Sequence, residues 1–215
     1  MKYSVFIVIG FMAVVLIAIV AINFSLSFTG NEINSNDFEN SEETFLDNDI
    51  ITVPVSVHLV DDRTQQFTTS RNLEDINRIF NEVNRIWSQG QIYFVVSSVD
   101  KIVVENSDFN SVLTGNIEIL TKNKNFDDGI INSYFARYIN ANGVSFPAQG
   151  FFLVGDITSV NDFRTTSHEL GHLLGLRHVQ GRENLMFQGA NGEILRDWEV
   201  EEARRNAKRV YGINV

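Results

Sequence analysis

The apolar residues of this chain fall into two zones with different patterns. Residues 4–24 are almost wholly apolar and carry no charge. At about 1.5 Å per residue, a helix of that length crosses a bilayer core. We therefore predict an N-terminal signal anchor, a transmembrane helix, over residues 1–27. A cleaved signal peptide is the alternative, although its apolar core is normally shorter and no good cleavage site follows this one.

Residues 28–50, which follow the apolar segment, are polar and acidic. This composition predicts a flexible linker whose like charges repel one another. Lys2 is the only basic residue before Arg63, whereas acidic residues are frequent after the apolar segment. By the positive-inside tendency the N-terminus stays cytoplasmic. We therefore expect a single-pass, membrane-anchored protein with its remaining residues outside the cytoplasm. Secretion after signal cleavage is the alternative.

Beyond the linker, residues 51–215 are long enough for one globular domain, and they contain both helical and strand patterns. Apolar residues recur at helical spacing from Leu73 to Trp87, and Asn72 is the expected N-cap. A second helix is expected around residues 162–174, and a third over residues 198–210.

Runs of β-branched and aromatic residues predict strands over residues 50–60, 92–96, 131–138, 143–147 and 150–156. Pro54 suggests that the first of these strands is an edge strand or contains a bulge. His58 lies inside the same run, and we interpret it as a structural residue. Within residues 100–129, Ile102 to Val104 are a candidate strand, and the Asn, Asp and Gly content of the stretch favours loops.

The composition excludes several classes of function. The formal net charge is −10 and no basic cluster occurs, which argues against nucleic acid as a partner. The chain has no cysteine, so disulfides, a cysteine nucleophile and a thiolate metal ligand are all excluded. We expect a monomer.

The most informative stretch is H-E-x-x-H-x-x-G-x-x-H at residues 168–178. His168 and His172 stand four apart, so on a helix they project from one face and can bind one metal ion. Glu169 lies beside them, where it can hold a water molecule without ligating the metal. Gly175 suits the left-handed end of a helix, after which the chain can return His178 as a third ligand. Three imidazoles and one open position form the ligand set of a catalytic zinc site.

These residues resemble the signature of the metzincin zinc endopeptidases, in which the same motif precedes a turn that contains methionine. Met186, in Asn184–Phe187, is the candidate turn methionine. The resemblance implies an α+β catalytic domain of the matrixin or astacin kind, with a twisted mixed sheet, an antiparallel edge strand, an active-site helix and a C-terminal helix. It also implies that extended peptide substrates pair with the edge strand, here at Gly143, Val144 and Ser145.

The resemblance implies peptide hydrolysis with one zinc ion, held by the three histidines, and with Glu169 as the general base. A catalytically inactive zinc-binding surface or adhesion module is the alternative, but such a module has no need of Glu169. Two departures leave the subfamily open. Gln188 stands where some members carry a tyrosine, and Val179 matches none of the usual polar markers after the third histidine. Four loop acids could include ligands of a structural calcium ion, although scattered loop acids are more often solvated or cap helices: Asp127, Asp128, Asp156 and Asp162.

Overall fold

One sheet of five strands organises the fold. The strands are β1 (Ile51–Asp62), β2 (Ile92–Val104), β3 (Ile131–Ala136), β4 (Gly143–Phe146) and β5 (Phe151–Gly155), and their order in the sheet is β2-β1-β3-β5-β4. Neighbouring strands are parallel, except that β4 runs antiparallel to β5. The predicted mixed sheet with an antiparallel edge strand is therefore confirmed. This computed structural model describes residues 49–114, 116–122 and 125–211.

Helices cover both faces of the sheet. They are α1 (Leu73–Trp87), α2 (Asn106–Leu113), α3 (Glu118–Thr121), α4 (Asp162–Leu173) and α5 (Asp197–Tyr211). The main core lies between one face and α1, α4 and α5, and a second core lies between the other face, α2 and α3. Every residue of β3 and β5 is buried as a result, which is expected of parallel strands with both faces covered.

The three helices predicted from apolar spacing are all present. The expected cap of α1 is confirmed, because the Asn72 side chain accepts hydrogen bonds from the backbone N–H groups of Glu74 and Asp75. The Asp75 carboxylate in turn accepts from the backbone of Asn72, which completes a capping box.

The candidate strand at Ile102 to Val104 is confirmed as the end of β2, but the expectation of loops over the rest of residues 100–129 is largely wrong, since α2 and α3 lie there. The two helices have only eight and four residues, so neither shows the long periodic pattern that identifies a helix in sequence. Burial of Phe109, Val112 and Leu120 against the sheet stabilises them instead.

The suggestion that Pro54 marks an edge strand is also wrong, because β1 lies between β2 and β3. The alternative interpretation, a bulge, is close to what is found. The register between β1 and β2 shifts between Val55 and Ser56, immediately after the proline, where the pattern of ladder hydrogen bonds is already interrupted.

No helix within the described ranges is long and apolar enough to cross a membrane. The predicted anchor over residues 1–27 lies outside those ranges. The predicted linker over residues 28–50 also does, apart from its last two residues.

Helix α4 is held by contacts with α1, β4 and β5. The indole Nε1 of Trp87 on α1 donates to the carbonyl oxygen of Ser167 at 3.3 Å, and Leu170 is fully buried in the main core. These contacts fix the rotation of α4 about its axis. The rotation decides which side chains of α4 reach the cleft beside β4.

Candidate active site

The rings of His168, His172 and His178 converge on one point. The Nε2 atoms of His168 and His178 are 3.1 Å apart, and the Nε2 atom of His172 lies 3.2 Å from each of them. Nitrogens at about 2.0–2.1 Å from one tetrahedral ion would be roughly 3.3 Å apart, so this triangle has the size that one zinc ion requires. Within the described ranges, no other His, Cys, Asp and Glu side chains form a group of three that could hold a metal.

Backbone carbonyls orient two of the three rings. The Nδ1 of His168 lies 2.8 Å from the carbonyl oxygen of Leu185, and the Nδ1 of His172 lies 2.8 Å from that of Leu176. A carbonyl oxygen can only accept, so each Nδ1 carries the proton and each Nε2 presents its lone pair to the metal position.

The electrostatic surroundings keep these rings neutral. Burial lowers the pKa of His168 to about 3 and also lowers the pKa of His172. A neutral imidazole is the form that ligates a metal, so both rings are in the ligating form at neutral pH.

A left-handed turn at Gly175 brings His178 back to the helix. Gly175 has φ of +88°, and a Cβ there would lie 2.4 Å from the Nδ2 of Asn206. That amide nitrogen donates to the carbonyl oxygen of Leu174 at 2.9 Å and so closes the end of α4. The glycine predicted from the motif is therefore required by both backbone conformation and space.

Glu169 lies on the side of α4 that faces the edge strand β4. A Cβ on Gly143 would lie 2.8 Å from both Cγ and Oε1 of Glu169, so the backbone of β4 passes directly against this side chain. Glu169 is 6% exposed. Burial raises its pKa to about 7, against the opposing effects of the Ser145 hydroxyl and the Arg164 charge.

Met186 lies beneath the histidines. It is fully buried, and a Cβ on Gly171 would lie 2.6 Å from its sulfur atom. The Asn184 side chain accepts from the backbone N–H of Met186 at 2.6 Å and donates to the Glu199 carboxylate at 2.7 Å. The candidate turn methionine thus fills the space that Gly171 leaves between His168 and His172 on α4.

A further residue of the site, Arg164, was not predicted; it is 3% exposed and lies one turn before His168. Its Nε donates to the carbonyl oxygen of Gly192 at 3.2 Å, and its Nη2 donates to the carbonyl oxygens of Leu185 and Phe187. Arg164 therefore ties α4 to the segment that carries Met186. Its spacing of four from His168 was the one signal that both residues share a helix face.

A cavity of about 890 Å³ lies in front of the histidines. Its walls come from α4, from β4 and from residues 138–142, 157–159 and 188–189. All three residues proposed to bind substrate, Gly143, Val144 and Ser145, line it. Gln188 lines it too, at the position where some metzincins carry a tyrosine. This volume is in the range of small-molecule and peptide sites.

Two of the four acids considered for calcium surround an arginine instead. Asp156 and Asp162 lie 3.6 Å and 3.5 Å from the guanidinium of Arg71. Asp156 also accepts from Thr69 and Ser70. Asp127 and Asp128 belong to no group of three ligand residues within the described part of the chain. Within the described residues, these four acids therefore form no cluster of ligands that could hold a calcium ion.

Comparison with known proteins agrees with this geometry. The model of the matrixin family of peptidases matches residues 17–201, whereas no curated protein sequence is significantly similar to the chain. Archaemetzincin from Methanopyrus kandleri is structurally similar, with a TM-score of 0.53 and 14% identity over 74% of this chain and 97% of that one. Mature mirolysin from Tannerella forsythia, solved with a cleaved peptide, has a TM-score of 0.55 and 14% identity over 77% of this chain and 99% of that one.

Proposed function

The chain belongs to the matrixin family and is a zinc metallopeptidase, and we propose that it is an endopeptidase of extracytoplasmic proteins or peptides with Glu169 as its general base. The observation that supports this most directly is the buried carboxylate of Glu169, which lies beside three convergent Nε2 atoms in an 890 Å³ cavity. His168, His172 and His178 are the residues that would hold the ion.

Zinc held by the three histidines would supply Lewis-acid chemistry, which would polarise the peptide carbonyl and lower the pKa of a water molecule. The protein supplies the proton transfers. The carboxylate of Glu169 accepts a proton from the water that attacks the carbonyl carbon, and then delivers that proton to the nitrogen of the leaving amine. Burial raises the pKa of Glu169, which makes its carboxylate a stronger base toward the attacking water than an exposed carboxylate would be.

The outer edge of β4 is the proposed platform for the substrate backbone. As the edge strand, β4 pairs only with β5 within the described residues, so the backbone groups on its other side are available to an extended peptide. A peptide added there would run past Gly143, Val144 and Ser145. Its scissile bond would lie between β4 and the histidines, next to Glu169.

The setting outside the cytoplasm is also a proposal, and it rests on sequence. A membrane anchor over residues 1–27 and a linker over residues 28–50 would hold the peptidase domain, residues 51–215, as a monomer at the outer membrane face. Proteolysis of a C-terminal tag by a protease added to intact cells would support this orientation. Full protection of the tag would contradict it.

The test of the catalytic proposal compares the purified full chain with its Glu169→Ala variant. We expect near-stoichiometric zinc in both proteins, because Glu169 is not among the three proposed ligands. Cleavage of a peptide mixture should fall by more than about a hundredfold in the variant, the size expected for loss of a general base. Equal cleavage by both proteins would exclude Glu169 as the base. Absence of cleavage by a zinc-loaded parent would favour the inactive zinc-binding module.

A further inference from the structure

The side chains of Arg71 and Arg164 are both buried, but their charges have different surroundings. Arg71 lies between the carboxylates of Asp156 and Asp162, at 3.6 Å and 3.5 Å. Arg164 forms no ion pair with any carboxylate of the described residues. Its bonds go to three neutral carbonyl oxygens, and Glu169 acts on it only at longer range. A desolvated cation without a close anion is unfavourable, and this one is therefore ready to accept an anionic partner.

One nitrogen of Arg164 remains available for such a partner. Nε and Nη2 make the three carbonyl bonds, whereas Nη1 makes no hydrogen bond within the described part of the chain. Arg164 also contributes to the wall of the active-site cavity. A carboxylate that enters the cavity can form a charge-assisted hydrogen bond with this N–H group, which is among the stronger polar interactions in proteins.

The position of Arg164 relates it to the bond that is cut. It precedes His168 by four residues on α4, so the two Cα atoms are about 6 Å apart along the helix. An extended peptide advances about 3.3 Å per residue. A substrate side chain that reaches Arg164 therefore belongs to a residue one or two positions from the scissile bond.

We infer that Arg164 is a specificity-determining residue, which gives the cleft a preference for a peptide carboxylate one or two residues from the scissile bond. This inference rests on the proposed peptidase function. The carboxylate can come from an Asp or Glu side chain or from the C-terminus of a short substrate. The net charge of −10 opposes acidic peptides at long range, so the preference arises from the local contact.

The experiment begins with a neutral peptide that the purified full chain cleaves. Each of the three residues on either side of its scissile bond is replaced in turn by Glu or by Gln, which differ in charge but hardly in shape. We expect one position at which kcat/KM is about tenfold or more higher with Glu than with Gln. Peptides that end at that position as a free acid or as an amide distinguish a C-terminal carboxylate from a side chain.

Variants then identify the residue responsible. In Arg164→Met, the ratio of kcat/KM for the Glu peptide to kcat/KM for the Gln peptide should fall to near 1. In Arg182→Met, which removes an exposed arginine of the neighbouring segment that does not line the cavity, the ratio should stay as in the parent. If Arg164→Met does not fold, Arg164→Lys provides the comparison, because its single ammonium cannot hold the three carbonyls and also reach the substrate. We expect a clearly reduced ratio there as well.

The outcomes separate the two proposals. Equal rates for Glu and Gln at every position in an active parent would overturn the inference and leave the peptidase function intact. A preference that persists in the Arg164 variants would also overturn it. If the parent cleaves no peptide, the peptidase proposal fails. Binding of fluorescent Glu and Gln peptides to the zinc-loaded Glu169→Gln chain then tests the inference. We expect tighter binding of the Glu peptide. Equal binding of the two peptides would overturn the inference.

Discussion

The backbone of Gly143 passes so close to Glu169 that a Cβ at residue 143 would lie 2.8 Å from both Cγ and Oε1 of the glutamate. The edge strand that is proposed to bind substrate therefore also fixes the proposed base. The same Cβ would lie 2.8 Å from the Cγ2 atom of Thr165, which is on the same helix as Glu169. Close packing of this kind transmits a small change in β4 directly to the site.

Substitution of Gly143 tests this contact. In Gly143→Ala the added methyl group must displace the Glu169 side chain, and we expect kcat/KM to fall by on the order of tenfold to a hundredfold. Zinc content should be unchanged, because the three atoms nearest to the new methyl group belong to Glu169 and Thr165, neither of which is a proposed ligand. Gly90→Ala is the control, since its Cβ would make only ordinary contacts at 3.4 Å or more. Unchanged activity in Gly143→Ala would show that Glu169 does not depend on this packing.

The turn at Gly175 allows a comparison between two glycines of the same conformation. Gly175 and Gly129 have φ of +88° and +87°, but only Gly175 has a neighbour, Asn206, within reach of a Cβ. Gly129→Ala should lower the free energy of unfolding by about 1–2 kcal/mol through backbone strain alone. Gly175→Ala should lower it further and should weaken zinc binding, because the turn positions His178. Urea unfolding and chelator competition measure the two effects, and equal losses in both variants would contradict the proposed crowding.

The buried side chain of Asn184 joins the turn that contains Met186 to α5. In Asn184→Asp the bond from Nδ2 to the Glu199 carboxylate becomes a contact between two buried acids. We expect the free energy of unfolding to fall by about 3–5 kcal/mol and zinc affinity to fall about tenfold to a hundredfold, since the turn also carries the carbonyl that orients His168. The control is Asn191→Asp, at an exposed position whose side chain only accepts a hydrogen bond. Similar effects in both variants would argue against a special role for Asn184.

His58 should make stability depend on pH. It is fully buried on β1, stacked on Tyr134 and bonded through Nε2 to the side-chain oxygen of Asn132 at 3.0 Å. Burial lowers its pKa below the ordinary value of 6.5. The unfolded chain therefore binds a proton more readily than the native protein, and the contribution of His58 to stability is present above pH 6.5 and lost as pH falls.

Denaturant unfolding at pH 7.5 and 5.5 measures this dependence. The loss attributable to His58 is limited to about 1.4 kcal/mol per pH unit. Because His168 and His172 also have lowered pKa values, the useful quantity is the difference between the parent and His58→Gln. The parent should lose more stability than the variant over this range. Equal losses would show that His58 does not carry the effect.

The sequence by itself determined the parts of this protein that depend on local spacing. Residues four apart on a helix share a face, so spacing alone pairs His168 with His172, and the helical spacing of apolar residues predicts α1 and α5. A glycine three residues beyond His172 specified the turn that returns His178. The mixed sheet and its antiparallel edge strand were predicted by the resemblance to metzincins that this motif carries.

Only the tertiary structure decided what depends on contacts between distant segments. The strand order placed Pro54 inside the sheet, and packing on the sheet produced α2 and α3 from a stretch with little helical pattern. Arg164 was overlooked because its partners, Leu185 to Gly192, lie more than twenty residues away along the chain. Local spacing encodes neither its burial nor the lack of an ion pair between Arg164 and the carboxylates of the described residues. Desolvation depends on the surrounding fold, and it is desolvation that gives this arginine its proposed role.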